Sequence, residues 1–216
     1  MSDQKLSYPD VAALGLDDWR FILGALHTRW RTGDFATGLG LVDSVAAAAE
    51  EMNHHPDLDL RYGYLDVRLR SHDADGVTDR DVELARRIGE LAAAAGASAD
   101  PASVTVLEYG IDTWDAAEIA PFWSALWGVP VHDSGEVVDP EGRMPTIWFQ
   151  STDRHEAPRQ RWHPDVWVPP EQARARIDAA VAAGGTVVDD SSAPSFIVLA
   201  DAQGNRVCVC TPESRD

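Results

Sequence analysis

Three histidines, His54, His55 and His72, have the residue type and spacing best suited to proton-transfer chemistry. Histidine is the side chain whose ordinary pKa lets it give and take protons near neutral pH. His54 and His55 are adjacent and precede Pro56, which restricts His55 to extended geometry. Glu50 stands one helical turn before His54, where a carboxylate can orient an imidazole or hold a ligand. This segment therefore predicts acid/base chemistry.

The elements that must position these histidines form a series of α, β, β, α, β and α. An apolar stripe at helical spacing from Phe35 to Met52 predicts a helix that ends at Asn53 in a left-handed conformation. Residues 64–72 alternate between apolar and polar, which predicts a strand that ends in a histidine on its polar face. Thr78 and Asp81 form a capping-box pattern that opens the last helix. The histidines are thus expected at the ends of a helix and a strand.

The whole pattern resembles the signature of the pterin-4a-carbinolamine dehydratases: Glu50-x-x-x-His54-His55-Pro56, then Tyr62, His72 and Asp81. The resemblance extends over about residues 1–96. It implies that this region removes water from a 4a-hydroxytetrahydropterin to give a quinonoid dihydropterin, as a hydro-lyase in tetrahydrobiopterin recycling. The leaving hydroxyl takes up a proton and N5 loses one, so the implied reaction requires neither a metal nor another cofactor.

The three histidines are expected, from this resemblance, to line the pterin site as its catalytic residues. His54 and His72 are assigned to proton transfer and His55 to orienting the pterin, with these individual roles open to exchange. A zinc site is the competing interpretation of the same residues. Adjacent histidines rarely bind one metal together, and no cysteine lies nearby, so acid/base catalysis is favoured.

The resemblance also implies substrate-binding roles for Glu50, Tyr62 and Asp81. Other interpretations stay open for each of them. Glu50 also fits a solvated acid on a helix face, and Tyr62 also fits a packing residue. For Asp81, capping of the last helix with no part in catalysis is the favoured interpretation.

The charge balance excludes some classes of partner. Lys and Arg number 18 against 36 Asp and Glu, for a formal net charge of −18. Nucleic acids and anionic membrane surfaces require a basic face, so neither is an expected partner. The sequence has no apolar run of membrane-spanning length. The two cysteines, Cys208 and Cys210, are badly spaced for a disulfide, so a cytoplasmic location is predicted.

A stretch of small and polar residues divides the chain in two. Residues 97–103 are predicted to be a linker between a first domain at 1–96 and a second domain at 104–216. The second domain contains a weak internal repeat, in which residues 108–131 and 163–187 both read as strand, helix, glycine and strand. The predicted class is α+β, with helices on an antiparallel sheet in the first domain and paired βαβββ modules in the second.

The second domain resembles the vicinal oxygen chelate superfamily, which includes glyoxalases and bleomycin-resistance proteins, over about residues 104–212. The matching segments include Phe122-Trp123 and His163-Pro164-Asp165-Val166. Metal-dependent members take ligands from His, Gln and Glu, and the corresponding positions here are Glu108, His163 and Cys208. Because a cysteine replaces the usual glutamate, a metal-free binding cleft is the favoured expectation.

Two partner predictions complete the sequence interpretation. The pterin is the expected small-molecule ligand, and the resemblance implies a homo-oligomer, with a dimer favoured. An alternative function places the activity in the second domain, as a metal-dependent or ligand-binding protein. The first domain would then be a dimerisation or regulatory module.

Overall fold

The computed structural model describes residues 4–104, 106, 108–154, 163–167, 170–210 and 213–214. The chain separates into two compact units, Met1–Val106 and Leu107–Asp216. Each unit has its own cluster of buried apolar side chains. No helix in the described ranges has the length and apolar character that a membrane span requires.

The first unit contains three α-helices and one antiparallel sheet. Its elements are α1 Tyr8–Ala12, β1 Arg20–Ile22, β2 Ala25–Arg31, α2 Phe35–Met52, β3 Asp57–Arg61, β4 Tyr64–Leu69, α3 Asp79–Ala94 and β5 Ser98–Ala99. The strands lie in the order β1-β2-β4-β3, and the short β5 also pairs with β2. The fold predicted for this half, helices on an antiparallel sheet, is confirmed.

Two strands of this sheet were not expected from the sequence. The segment of β3 is rich in aspartate, which is depleted in strands, yet it pairs along its whole length with β4. β5 lies inside residues 97–103, the stretch predicted to be a linker, and joins the sheet through Trp30 opposite Ala99. Ser98 and Ala99 therefore form a strand within the stretch predicted to be a linker, because they pair with β2.

The core of the first unit lies between the sheet and the helices α2 and α3. Leu41 and Val45 of α2 are fully buried. The predicted apolar stripe on this helix is wrong at its start, because Phe35 and Leu39 are about half exposed. Apolar residues cover more of the α2 surface than the sheet can bury, so spacing alone did not identify the inner face.

The second unit repeats one strand–helix–strand arrangement. Its elements are β6 Glu108–Thr113, α4 Ala116–Trp127, β7 Thr146–Ser151, β8 Asp165–Trp167, α5 Pro170–Ala182, β9 Thr186–Asp189, β10 Phe196–Ala200 and β11 Arg206–Cys210. β8 pairs in parallel with β11, and the sheet runs β8-β11-β10-β9. β6 pairs in parallel with β7. Isolated β-bridges also join Val137 to Ile147 of β7 and to Val131. The prediction of paired modules is confirmed.

Candidate functional site

The adjacent histidines lie where α2 turns into β3. Asn53 adopts the predicted left-handed conformation, with φ of 46°, and ends the helix. The backbone N–H of His54 donates to the carbonyl of Ala49 at 3.1 Å, which closes the last turn. The chain then leaves the helix sharply, so that His54 points into the domain while His55 stays exposed.

The hairpin of β3 and β4 brings the third histidine to the same end of the sheet. Asp57 at the start of β3 pairs with Arg68 near the end of β4. His72 follows in an exposed four-residue turn that is closed by a bridge between Ser71 and Gly76. The backbone therefore places His72 at the same end of the hairpin as the first residue of β3, which follows His54 and His55 in the chain.

Tyr62 lies at the other end of this hairpin. Arg61 pairs with Tyr64 there, and Tyr62 is 80% exposed in the turn between them. The register separates the two ends by four residue steps, or about 13 Å at the usual rise of a strand. Within one chain, the structure does not bring Tyr62 to the histidines.

A buried carboxylate lies against His54. The Nε2 atom of His54 is 2.8 Å from Oδ1 of Asp81, and both residues are buried, Asp81 completely. A carboxylate without contact with water must be matched by hydrogen-bond donors or by a positive charge. His54 provides one such partner on Oδ1.

The second carboxylate oxygen of Asp81 is held by residues at the start of α3 and the end of β4. Oδ2 accepts hydrogen bonds from the backbone N–H of Thr78 at 2.8 Å and from Oγ of Ser71 at 2.7 Å. Thr78 and Asp81 form the predicted capping box. Asp81 is therefore both the helix cap and the partner of His54, so the two interpretations of this residue are compatible.

This arrangement fixes the protonation pattern of the His54 ring. Oδ1 of Asp81 is an acceptor, so the Nε2 atom of His54 carries the hydrogen of that bond. In the neutral ring, Nδ1 is then the acceptor. Within the described part of the chain, the side-chain contact of His54 is made by Nε2 and not by Nδ1.

The remaining predicted residues form a solvent-facing rim. Nε2 of His55 is 3.2 Å from Oε1 of Glu50, and both side chains are more than half exposed. An exposed pair of this kind contributes little to stability. Glu50 thus contacts His55 and not His54, and the carboxylate beside His54 is that of Asp81.

Two residues of the first domain were missed in the sequence. Ser71 is buried just beyond β4, two positions after Leu69, where it continues the alternation of the strand. That alternation was the sequence signal for a buried hydroxyl, which needs a hydrogen-bond partner. His27 lies on β2 opposite Arg68, on the sheet face away from the buried leucines. Burial, reinforced by the positive charge of Arg68, lowers the pKa of His27 from 6.5 to about 4.

The second domain brings together a different set of polar side chains. One ligand atom each from His163, Asp165 and Cys208 lie within 4.8 Å of one another. His163 and Cys208 were predicted as candidates, and Asp165 was not. The side chain of Glu108, the third predicted candidate, lies outside the described residues. The sequence signal available for Asp165 was its place in the same short segment, His163-Pro164-Asp165.

Family models match both halves of the chain. Residues 4–91 match the model for pterin 4 alpha carbinolamine dehydratase, and residues 108–210 match the model for a glyoxalase-like domain. The fold and site define a two-domain α+β protein whose first domain carries His54, His55 and His72. A relative from Burkholderia cenocepacia, named "Putative pterin-4-alpha-carbinolamine dehydratase", is 46% identical over 37% of this chain and 79% of its own length. The chain belongs to the pterin-4a-carbinolamine dehydratase family and carries a glyoxalase-like second domain.

Two solved structures are similar to the separate halves. A transcriptional coactivator/pterin dehydratase from Brucella melitensis is 29% identical, with 41% of this chain and 99% of that chain covered and a TM-score of 0.40. A glyoxalase/bleomycin resistance protein from Catenulispora acidiphila is 16% identical, with 50% and 98% covered and a TM-score of 0.33.

Proposed function

We propose that the first domain is a 4a-hydroxytetrahydropterin dehydratase that works by histidine acid/base catalysis. The observation that carries this proposal is the buried pair of His54 and Asp81, with the exposed His55 and His72 next to His54 and Ser71 in the chain. A pair of this kind presents one imidazole nitrogen in a fixed orientation. Family membership supports a pterin as the ligand.

The reaction needs two proton transfers, one to the substrate and one from it, so the net charge of the substrate does not change. The 4a-hydroxyl must gain a proton to leave as water, and the N5–H bond must lose its proton as the C4a–O bond breaks. The electron pair of N5–H then becomes the new N5=C4a double bond. One group that donates and one group that accepts are sufficient, and the net charge of the protein is unchanged.

His54 suits the accepting role. Its Nδ1 atom is the acceptor when Nε2 donates to Asp81, and the carboxylate stabilises the positive charge that the ring acquires on taking the N5 proton. Because Asp81 is fixed by Ser71 and Thr78, the ring does not have to reorient during the reaction.

The exposed histidines suit the remaining roles. His72, in the turn after β4, is the proposed donor to the leaving hydroxyl, since an exposed imidazole exchanges protons readily with water. His55, in contact with Glu50, is proposed to orient the pterin at the rim. Water access to His72 also allows both histidines to return to their starting protonation states after each turnover.

The test is the dehydration rate of a 4a-hydroxytetrahydropterin generated in situ and followed by ultraviolet absorbance. We expect wild type to accelerate the reaction and His54→Ala and His72→Ala each to lower kcat by about 10²-fold or more. His132→Ala is the matched control, because His132 is an exposed histidine of the second domain, and it should keep the wild-type rate.

The rates also separate the proposal from its alternatives. A folded wild-type protein that gives no acceleration would remove the dehydratase proposal altogether. Acceleration that survives both His54→Ala and His72→Ala would keep the activity but assign it to other residues.

A further inference from the structure

We propose that Arg80 is a positioning residue of the dehydration reaction, which holds the turn that bears His72 against the first turn of α3. The inference rests on the proposed function, in which His72 is the proton donor. Residues 72–75 form this turn and are named the His72 turn. Asp81, the residue after Arg80, contacts His54, so two adjacent side chains of one helix serve the two histidines.

The ends of the His72 turn are closed by backbone hydrogen bonds. The N–H of Ser71 donates to the carbonyl of Gly76 at 2.9 Å, and the N–H of Gly76 donates to the carbonyl of Ser71 at 3.3 Å. These bonds fix the base of the turn. The exposed His72 lies beyond this base, so its position also depends on contacts made by the side chains of the turn.

Arg80 supplies such a contact to the residue that follows His72. Its guanidinium donates to Oδ1 of Asp73 at 2.5 Å. The side chain of Arg80 is 25% exposed, against 63% for Asp73, so the arginine is the more confined partner. The hydrogen bond from Arg80 lowers the pKa of Asp73 below its ordinary value of 3.8, as expected for a carboxylate held in its charged form.

The geometry of α3 explains how adjacent residues reach different histidines. Successive residues of an α-helix lie about 100° apart around its axis. Asp81 is completely buried against His54, whereas Arg80 is partly exposed and reaches Asp73. Oγ1 of Thr78 accepts a hydrogen bond from the backbone N–H of Arg80 at 3.3 Å, which helps to fix the start of the helix. One helix start thus positions both the proton acceptor and the turn of the proton donor.

The ion pair is expected to matter more for rate than for stability. A pair with an exposed partner contributes little to the free energy of unfolding, because solvent screens it. A catalytic group that is displaced from its reacting partner, in contrast, is costly for kcat. Loss of the contact between Arg80 and Asp73 should therefore leave a folded protein that turns over slowly.

The test is the steady-state kinetics of dehydration by Arg80→Gln, Arg80→Lys and Asp73→Asn. We expect Arg80→Gln to lower kcat by about tenfold and to leave KM within about twofold, because His72 is still present but less well placed. Asp73→Asn should give a similar loss, and Arg80→Lys, which keeps the charge, should recover part of it. In a His72→Ala background, Arg80→Gln should cause no further loss.

Arg87→Gln is the matched control, because Arg87 also lies on α3 and contacts a carboxylate, that of Glu51. It should keep the wild-type kcat. Backbone ¹⁵N relaxation gives a readout that does not depend on turnover. The order parameters of residues 72–75 should fall in Arg80→Gln and stay unchanged in Arg87→Gln.

An active wild type whose kcat or order parameters survive Arg80→Gln would overturn this inference and leave the proposed function standing. A further loss in the His72→Ala background would do the same. A wild type without dehydratase activity would instead remove the proposed function, and the role of Arg80 with it. If Arg80→Gln fails to fold, the exposed Asp73→Asn variant decides, since an unchanged kcat there would overturn the inference as well.

Discussion

The two domains each pair a histidine with an aspartate, and the two pairs differ in almost every physical respect. His54 and Asp81 are 2.8 Å apart, with side chains 8% and 0% exposed. His163 and Asp165 are 3.5 Å apart, with side chains 54% and 51% exposed. The same two residue types are thus held tightly inside one domain and loosely at the surface of the other.

The difference shows how the surroundings assign a role to an imidazole. Asp81 is held by Ser71 and the backbone of Thr78, so it fixes one tautomer of its histidine and suits repeated proton transfer. Asp165 lies beside Cys208, and its side chain is about half exposed. The buried, fixed contact is therefore the one that suits acid/base work.

The comparison predicts its largest effect at Asp81. The backbone N–H of Thr78 requires an acceptor, so the amide oxygen of Asp81→Asn should remain there and its NH₂ group should face His54. This reverses the hydrogen bond and forces the other tautomer on the ring. We expect kcat for dehydration to fall by about 10- to 100-fold.

Asp79→Asn controls for this change, because Asp79 is another acid in the first turn of α3. It should retain most of the activity. Wild-type kcat in a folded Asp81→Asn protein would show that the buried pair is only structural.

A second prediction concerns His27, a partly buried histidine of β2 that lies opposite Arg68 of β4. Burial and Arg68 lower its folded pKa to about 4, against an ordinary value of 6.5. Between these values, the unfolded chain binds a proton that the folded chain does not, so stability falls as the pH falls. We expect wild type to lose about 1–2 kcal/mol more than His27→Gln between pH 7 and pH 5.

Urea unfolding of both proteins at the two pH values, followed by far-ultraviolet circular dichroism, measures this difference. Equal losses would mean that His27 is protonated in the folded protein at pH 5. That result would contradict a lowered pKa for His27 in the folded protein.

The smallest effect is predicted at Tyr62. This residue is exposed in the hairpin turn, away from the end that carries the three histidines. Tyr62→Ala should leave kcat/KM for dehydration within about twofold of wild type, as expected for a surface change outside a site. A loss of tenfold or more would mean that Tyr62 reaches the pterin of a second copy of the chain.

Features set by neighbouring residues could be predicted from the sequence. The left-handed Asn53, the capping box of Thr78 and Asp81, and the alternation of β4 are all present as expected. Each depends on residues a few positions apart, for which sequence patterns have a direct physical meaning.

Features that depend on tertiary contacts could not be predicted in the same way. The contact of Asp81 with His54 joins residues 27 positions apart, and nothing local distinguishes it from a cap without a catalytic partner. The strand β3 contains aspartates and forms only because β4 lies beside it. Asp165 lies opposite Cys208 because β8 and β11 pair in parallel, and these residues are far apart in the sequence.

The most direct test of the account is a double-mutant cycle on dehydration, with wild type, His54→Ala, Asp81→Asn and the double variant. If Asp81 acts through His54, the double variant should have the same kcat as His54→Ala alone, since there is no ring left to orient. Losses that multiply in the double variant would contradict the account, because they would show that Asp81 contributes to the reaction independently of His54.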